Sequence, residues 1–304
     1  MDSKELIRQL DARGYQARLV GIDRVSDLSD TIKRLNQQGC FDAEFYRKEL
    51  TANLIFDHSS LMPEARSVII LAYPQSPTRV RFGAHVVVIP PTYIYRDIWQ
   101  GSLRAVTEIL QPSGFKATRA RLPLKLLATS SGLGRYGRNN ICYIPEIGSF
   151  HRLGAFYTDL PCPSDDWGEP QTMALCHSCR LCQQACPTGA IIDTRFMIDA
   201  SRCLTYFNEH EDDFPNWVKP EWHNAAIGCM KCQENCPLNR GILNTIRDFP
   251  ESFTEKETLA IAQKVPFQEL PEETRRKLNE LCLGDDYTVV ARNIAYLCRD
   301  LDPS

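Results

Sequence analysis

Eight cysteines between positions 176 and 236 constrain this chain more than any other feature of its 304 residues. From Cys176 the sequence reads CHSCRLCQQACP, a C-x2-C-x2-C-x3-C-P spacing. Fifty residues on, Cys229, Cys232, Cys236 and Pro237 repeat the spacing of Cys179, Cys182, Cys186 and Pro187, and Cys203 lies between the two copies. Three thiolates within seven residues can wrap one iron–sulfur cube, and a proline directly after the fourth cysteine turns that thiolate away from the first three. The count closes at two cubes and eight ligands.

This is the bacterial ferredoxin run, in which the fourth cysteine of each motif ligates the other cluster. By that rule Cys176, Cys179, Cys182 and Cys236 hold one 4Fe–4S cluster, and Cys186, Cys203, Cys229 and Cys232 hold the other. Zinc is the alternative, but structural zinc takes separated C-x2-C pairs and has no use for the third cysteine or the Cys-Pro ending. Two clusters with crossed ligands make a wire for single electrons. The 25 residues between Cys203 and Cys229 include Phe214, Pro215, Trp217, Pro220 and Trp222. Such an insertion shields a cluster or covers a pocket, or it is a loop whose aromatics pack on the larger domain.

The rest of the chain sets this module in context. At 43% hydrophobic and 24% charged residues it has the composition of a globular protein of about two domains. The longest apolar run, Val68 to Tyr73, is far too short to span a bilayer, and the opening MDSKELIRQL has no signal-peptide core. A cytoplasmic protein without membrane contact is therefore expected. The odd total of 13 cysteines argues against a disulfide scaffold, and Cys40, Cys142, Cys162, Cys282 and Cys298 read as small buried apolar residues. A net charge of -3 gives no global pull toward nucleic acid or anionic lipid.

The pattern predicts an α+β protein. Leu6, Ile7 and Leu10 mark an opening helix, and Leu28, Ile32 and Leu35 mark a second that ends before Gly39. SVIILAY (67 to 73) and HVVVI (85 to 89) read as buried central strands, with further strands at 142 to 144 and 153 to 160 and helices near 96 to 110 and 122 to 130. PCPSDDWGEP (161 to 170) reads as a boundary. The domains expected are residues 1–165, then 166–240 with the double cluster, then 241–304 as a short C-terminal helical appendage.

Four further segments resemble the epoxyqueuosine reductases, a family related to reductive dehalogenases. SGLGRYGRNN (131 to 140) is similar to A-G-L-G-W-x-G-K-N of that family, and GSFHRLGAFYTDLP (148 to 161) to its G-S-W-F-L-G-E stretch. DASRCLTYFN (199 to 208) resembles D-A-R-R-C-I-S-Y, and IGCMKCQENCPLN (227 to 239) resembles Y-G-C-D-D-C-Q-x-x-C-P-W-N. The resemblance implies a nitroreductase-like front domain that binds a corrinoid (cobalamin), with electrons delivered to cobalt by the clusters. It places cofactor contacts at Arg138, Asn139 and Thr205. A low-potential ferredoxin or flavodoxin would then be the electron donor, and a corrinoid protein a possible partner.

The departures matter as much. The family's proton-donating aspartate falls on Thr118, and no carboxylate occurs from 109 to 145. Its tryptophan is Arg135, its L-G-E glutamate is Ala155, and its C-terminal helical repeats, which grip transfer RNA, are reduced to a short segment of which DYTVVARNIAYLC keeps the look. Lys116, Arg119, Arg121, Lys125, Arg135 and Arg138 make this stretch basic, suited to an anion or simply to solvent. Tyr136, beside the glycine turn, is the candidate substitute proton donor. These departures favour a reductive activator of a corrinoid centre over an epoxyqueuosine reductase acting on tRNA, with a cluster-only or flavin-linked carrier as a third possibility.

The crossed ligation is directly testable. Cys186→Ala is expected to damage the cluster held with Cys203, Cys229 and Cys232, as seen by iron analysis and electron paramagnetic resonance. Loss confined to the cluster of Cys176, Cys179 and Cys182 would overturn the assignment.

Overall fold

The structure, a computed structural model, describes residues 1–94, 98–193, 196–243 and 246–298. The chain divides into two compact units. The first comprises Met1–Pro74, Asp97–Arg180 and Ile192–Ala200, and the second Gln75–Arg96, Leu181–Ile191 and Ser201–Ser304. Strands are numbered in chain order: β1 Gln16–Gly21, β2 Ser67–Pro74, β3 Thr78–Phe82, β4 His85–Ile89, β5 Ala117–Arg119, β6 Arg135–Tyr136, β7 Cys142–Tyr143, β8 His151–Thr158 and β9 Arg247–Phe253.

The first unit is built on a four-stranded antiparallel sheet in the order β1-β2-β8-β5. β2 is central and buried on both faces, which explains its unbroken apolar sequence. Its side chains alternate. Val68, Ile70 and Ala72 join the core beneath helices Arg24–Gln37 and Leu124–Ser130, whereas Ile69 and Leu71 join that of helices Ser3–Asp11 and Ile98–Leu110. The helix expected near 96 to 110 is thus seen from Ile98, its start lying outside the described residues. Residues 161–170 are fastened to this unit: Asp165 accepts from the Gly21 amide at 2.9 Å and pairs with Arg24 at 3.0 Å.

The second unit shares one core between sequence-distant parts. β3 and β4 form a hairpin, and β9 adds to β3 in parallel, giving the order β4-β3-β9. Phe82 stacks on Phe253 with centroids 4.5 Å apart. Helices Glu255–Ala262, Glu272–Glu280 and Tyr287–Leu297 bury Ile261, Leu278 and Val290 against that hairpin. Two expectations change here. HVVVI is an edge strand whose two faces are unequally buried, and the C-terminal helices are part of a core with residues 80–94 rather than an appendage. The pairing of β3 with β9 could not be seen because its partners are about 170 residues apart, and neither of these strands nor β1 has a long apolar run. Among the isolated cysteines Cys142 and Cys298 are buried as expected, but Cys40, Cys162 and Cys282 are only partly covered.

His151 opens β8 from a buried position, and burial lowers its pKa from 6.5 to about 4. Between those values the unfolded chain binds a proton that the folded chain refuses, so stability is full above the unfolded pKa and drains away as pH falls. The loss amounts to about 3 kcal/mol. Urea unfolding at pH about 7 and about 4 is expected to show a smaller pH-dependent drop for His151→Gln than for the wild type.

Candidate iron–sulfur site

Both copies of the cysteine motif fold alike. A short helix, Leu181–Ala185 in the first copy and Lys231–Glu234 in the second, precedes each Cys-Pro corner, and these two helices pack together. The Cys186 amide donates to the Gln183 carbonyl at 3.3 Å, and the Cys236 amide to the Gln233 carbonyl at 3.2 Å. Proline after each cysteine stops the turn from continuing and points the thiol outward from it.

Six of the eight motif cysteines lie in the second unit, Cys186, Cys203, Cys229 and Cys232 among them, with Cys182 and Cys236. Cys203 stands at the start of helix Leu204–Glu209, where the amides of Thr205 and Tyr206 and the Thr205 side chain pull the thiol's pKa down. Cys229 follows Gly228, and its sulfur accepts from Asn224 Nδ2 at 3.3 Å and from the Lys231 amide. Thr188 Oγ1 lies 3.5 Å from Cys186 Sγ. Burial pushes the Cys203 thiol up and the Cys229 thiol to about 11, and the neighbouring thiol Cys186 adds to both shifts. Burial, mutual proximity and hydrogen-bond donors aimed at sulfur suit thiolates that share charge with a metal cluster. Among the described residues no three His, Cys, Asp or Glu side chains converge as a single-ion site.

The frame behind these sulfurs comes from outside the motif. Gly228 has φ +70°, and the Tyr93 ring lies directly against its Cα. Tyr93 Oη donates to Glu209, burial and that carboxylate holding the phenol proton in place. Asn208 Nδ2 donates to the Gly228 carbonyl at 2.7 Å. From helix Tyr287–Leu297, Asn293 Nδ2 donates to the carbonyls of Asn208 and Ala226, each at 3.0 Å, while Arg292 reaches the carbonyls of Phe207 and Asp212 and covers the Phe214 ring. The aromatic insertion packs within this unit: Trp217 lies edge-on to Phe207, and Phe214 meets Tyr296. Tyr93, Asn224 and Asn293 carry no local sequence signal for this role.

In the first unit, Cys176 and Cys179 are held by Arg138, whose guanidinium donates to both of their carbonyls and pairs with Asp193 at 2.6 Å. Asn139 is buried and donates to Tyr143 Oη at 3.0 Å. Of the residues that the resemblance assigns to corrinoid contact, Arg138 and Asn139 make these bonds within the first unit, and Thr205 lies in the second, two residues after Cys203. Tyr136 is buried edge-on to Phe196, and burial pushes its pKa up, the direction that retains a phenol proton. Of the basic residues, Arg119 lies over Trp99 at 4.5 Å, Arg121 donates to the Asn53 carbonyl at 3.0 Å, and Lys125 donates to the Asn140 carbonyl at 3.1 Å. Arg119 ends β5 and Arg121 precedes helix Leu124–Ser130, and Thr118 lies in β5 opposite Tyr157.

Comparison with known proteins agrees with the motif. Residues 175–239 match the 4Fe-4S double cluster binding domain. The epoxyqueuosine reductase of Burkholderia pseudomallei is 37% identical over 120 residues, 38% of this chain and 29% of that protein. That of Bacillus subtilis is 26% identical over 251 residues, 74% of this chain and 62% of that one. An epoxyqueuosine reductase solved with an epoxyqueuosine-modified tRNA-Tyr stem loop superposes over 98% of this chain and 81% of that one, with a TM-score of 0.72 at 21% identity. The chain is a relative of the epoxyqueuosine reductases. The matched parts cover less than two thirds of these two curated relatives, and with the solved structure this chain shares the fold. The mixed helix-and-sheet fold is thereby common to this chain and to the solved epoxyqueuosine reductase, and this chain carries the double-cluster domain.

A Cβ on Gly228 would come within 2.4 Å of the Tyr93 ring. Gly228→Ala is expected to cost about 3 kcal/mol, combining backbone strain with overpacking, and to lower the iron retained per chain. Gly189 has a similar φ of +67° but open space around it, so Gly189→Ala should cost only the backbone part, about 1 kcal/mol, in the same urea titration.

Proposed function

We propose that this protein is an iron–sulfur reductase of the epoxyqueuosine reductase type, removing the epoxide oxygen from a modified nucleoside in tRNA. The observation that carries the reading is the similarity to epoxyqueuosine reductases along nearly the whole chain, including one solved with its tRNA stem loop, together with the double-cluster domain. This support favours tRNA modification over the activator role that the departures suggested.

Residues 166–240 would hold two 4Fe–4S clusters, one on Cys176, Cys179, Cys182 and Cys236, the other on Cys186, Cys203, Cys229 and Cys232. When bound, such clusters supply single electrons at low potential. The chain's own residues do the rest. Buried donors stabilise the thiolates, Tyr93 and helix Tyr287–Leu297 fix the loops that carry Cys203 and Cys229, and the aromatic insertion limits water around them. Residues 1–165 would form the nitroreductase-like substrate-binding part, 241–304 would complete the fold, and a cytoplasmic ferredoxin or flavodoxin would donate electrons. Among the described residues no helix is long and apolar enough to cross a membrane.

A second reading, reductive activation of a corrinoid held by this chain or by a partner, is favoured by one observation: Thr118 stands where the family's acid would be, with no carboxylate from 109 to 145. One experiment separates the two. Protein purified without oxygen and reconstituted with iron and sulfide, with and without cobalamin, is given a low-potential reductant and an epoxyqueuosine-modified tRNA stem loop. About eight irons per chain and conversion of the nucleoside, seen by mass spectrometry, are expected. Cobalt bound and reduced without nucleoside conversion would replace the tRNA reading by the activator reading.

A further inference from the structure

Three sulfurs of the proposed second cluster each have a side-chain donor that the ligand motif does not contain. Asn224 Nδ2 lies 3.3 Å from Cys229 Sγ, Thr188 Oγ1 lies 3.5 Å from Cys186 Sγ and is the donor there once that sulfur is a thiolate, and the Thr205 side chain lowers the proton affinity of Cys203 as a donor does. The orientation of Asn224 is fixed by its other bonds: Oδ1 accepts from the Met230 amide at 3.1 Å, and Nδ2 also donates to the Trp222 carbonyl at 3.0 Å. The amide can therefore present only its donor to the sulfur.

We propose that Thr188, Thr205 and Asn224 tune the reduction potential of the cluster held by Cys186, Cys203, Cys229 and Cys232, raising it. This rests on the double-cluster assignment made above. Reduction adds negative charge that spreads over the ligand sulfurs, and a donor at sulfur stabilises the reduced state more than the oxidised one. Three donors on three ligands make this one cluster the easier to reduce than it would be in an apolar cradle. The three residues touch ligand atoms and hold them, so their effect should appear in the potential before it appears in iron content.

The test is spectroelectrochemistry with electron paramagnetic resonance on the reconstituted full chain, iron being measured first. Thr188→Val and Thr205→Val remove a hydroxyl at nearly constant shape and charge. Each is expected to shift the same one of two reduction waves to lower potential by about tenfold in the reduction equilibrium, ~59 mV for one electron, leaving the other wave in place. Asn224→Asp keeps the acceptor for Met230 while replacing the donor by a negative charge, so its shift should be larger and in the same direction. Thr205→Ser restores the donor and should restore the wave. Unmoved waves at wild-type iron content, or equal movement of both, would overturn the inference. A wild-type chain that holds no 4Fe–4S cluster would overturn the assignment beneath it, and the iron measurement tells the two failures apart.

Discussion

The interaction on which the second unit depends is the burial of thiols that would be costly to leave alone. Cys203 and Cys229 are partly covered close to Cys186, and that covering raises the proton affinity of both. A buried group of this kind must be satisfied by neighbours or by a ligand. The chain supplies amide, hydroxyl and carboxamide donors around the sulfurs, and behind them a lattice of bonds from Tyr93, Asn208 and Asn293 that keeps the loops from relaxing. The folded chain thus meets the proton cost of metal loading with a cradle already shaped for thiolate.

How much of this was legible depended on whether the signal was local. The cysteine spacing and its repeat were plain, because ligands within one turn of chain must follow a fixed pattern. β2 was plain too, since a strand covered on both faces must be apolar at every position. HVVVI carried the same apolar signature and lies at an edge, with only Val87 and Ile89 buried, because β9 pairs on the far side of β3. Tyr93 and Asn293 are the clearest misses. One lies far before the motif and the other far after it, and each is recognisable only when the fold brings it to Gly228 or to the Asn208 carbonyl.

Arg138 has a task in the fold that its place in the resemblance does not announce. Its guanidinium grips the backbone at Cys176 and Cys179 and is paired with Asp193. Planar, multiply donating and always charged, arginine suits two carbonyls and a carboxylate at once better than lysine would. The basic stretch around it is likewise less free than its composition suggests, since Arg121 and Lys125 each cap a carbonyl and Arg119 covers Trp99.

The pairing of β3 with β9, and the hold of Arg292 and Asn293 on the cysteine-bearing loops, set an order on the protein's birth. During synthesis the hairpin at 78 to 89 emerges long before its parallel partner at 247 to 253, and the helix that ends at Leu297 comes later still. Until that helix is made, the loops at Cys203 and Cys229 lack the part of their frame that Arg292 and Asn293 supply. Domains fold as units once their parts are present. The frame of the second unit is therefore completed only when residues far beyond the cysteine motif have been made.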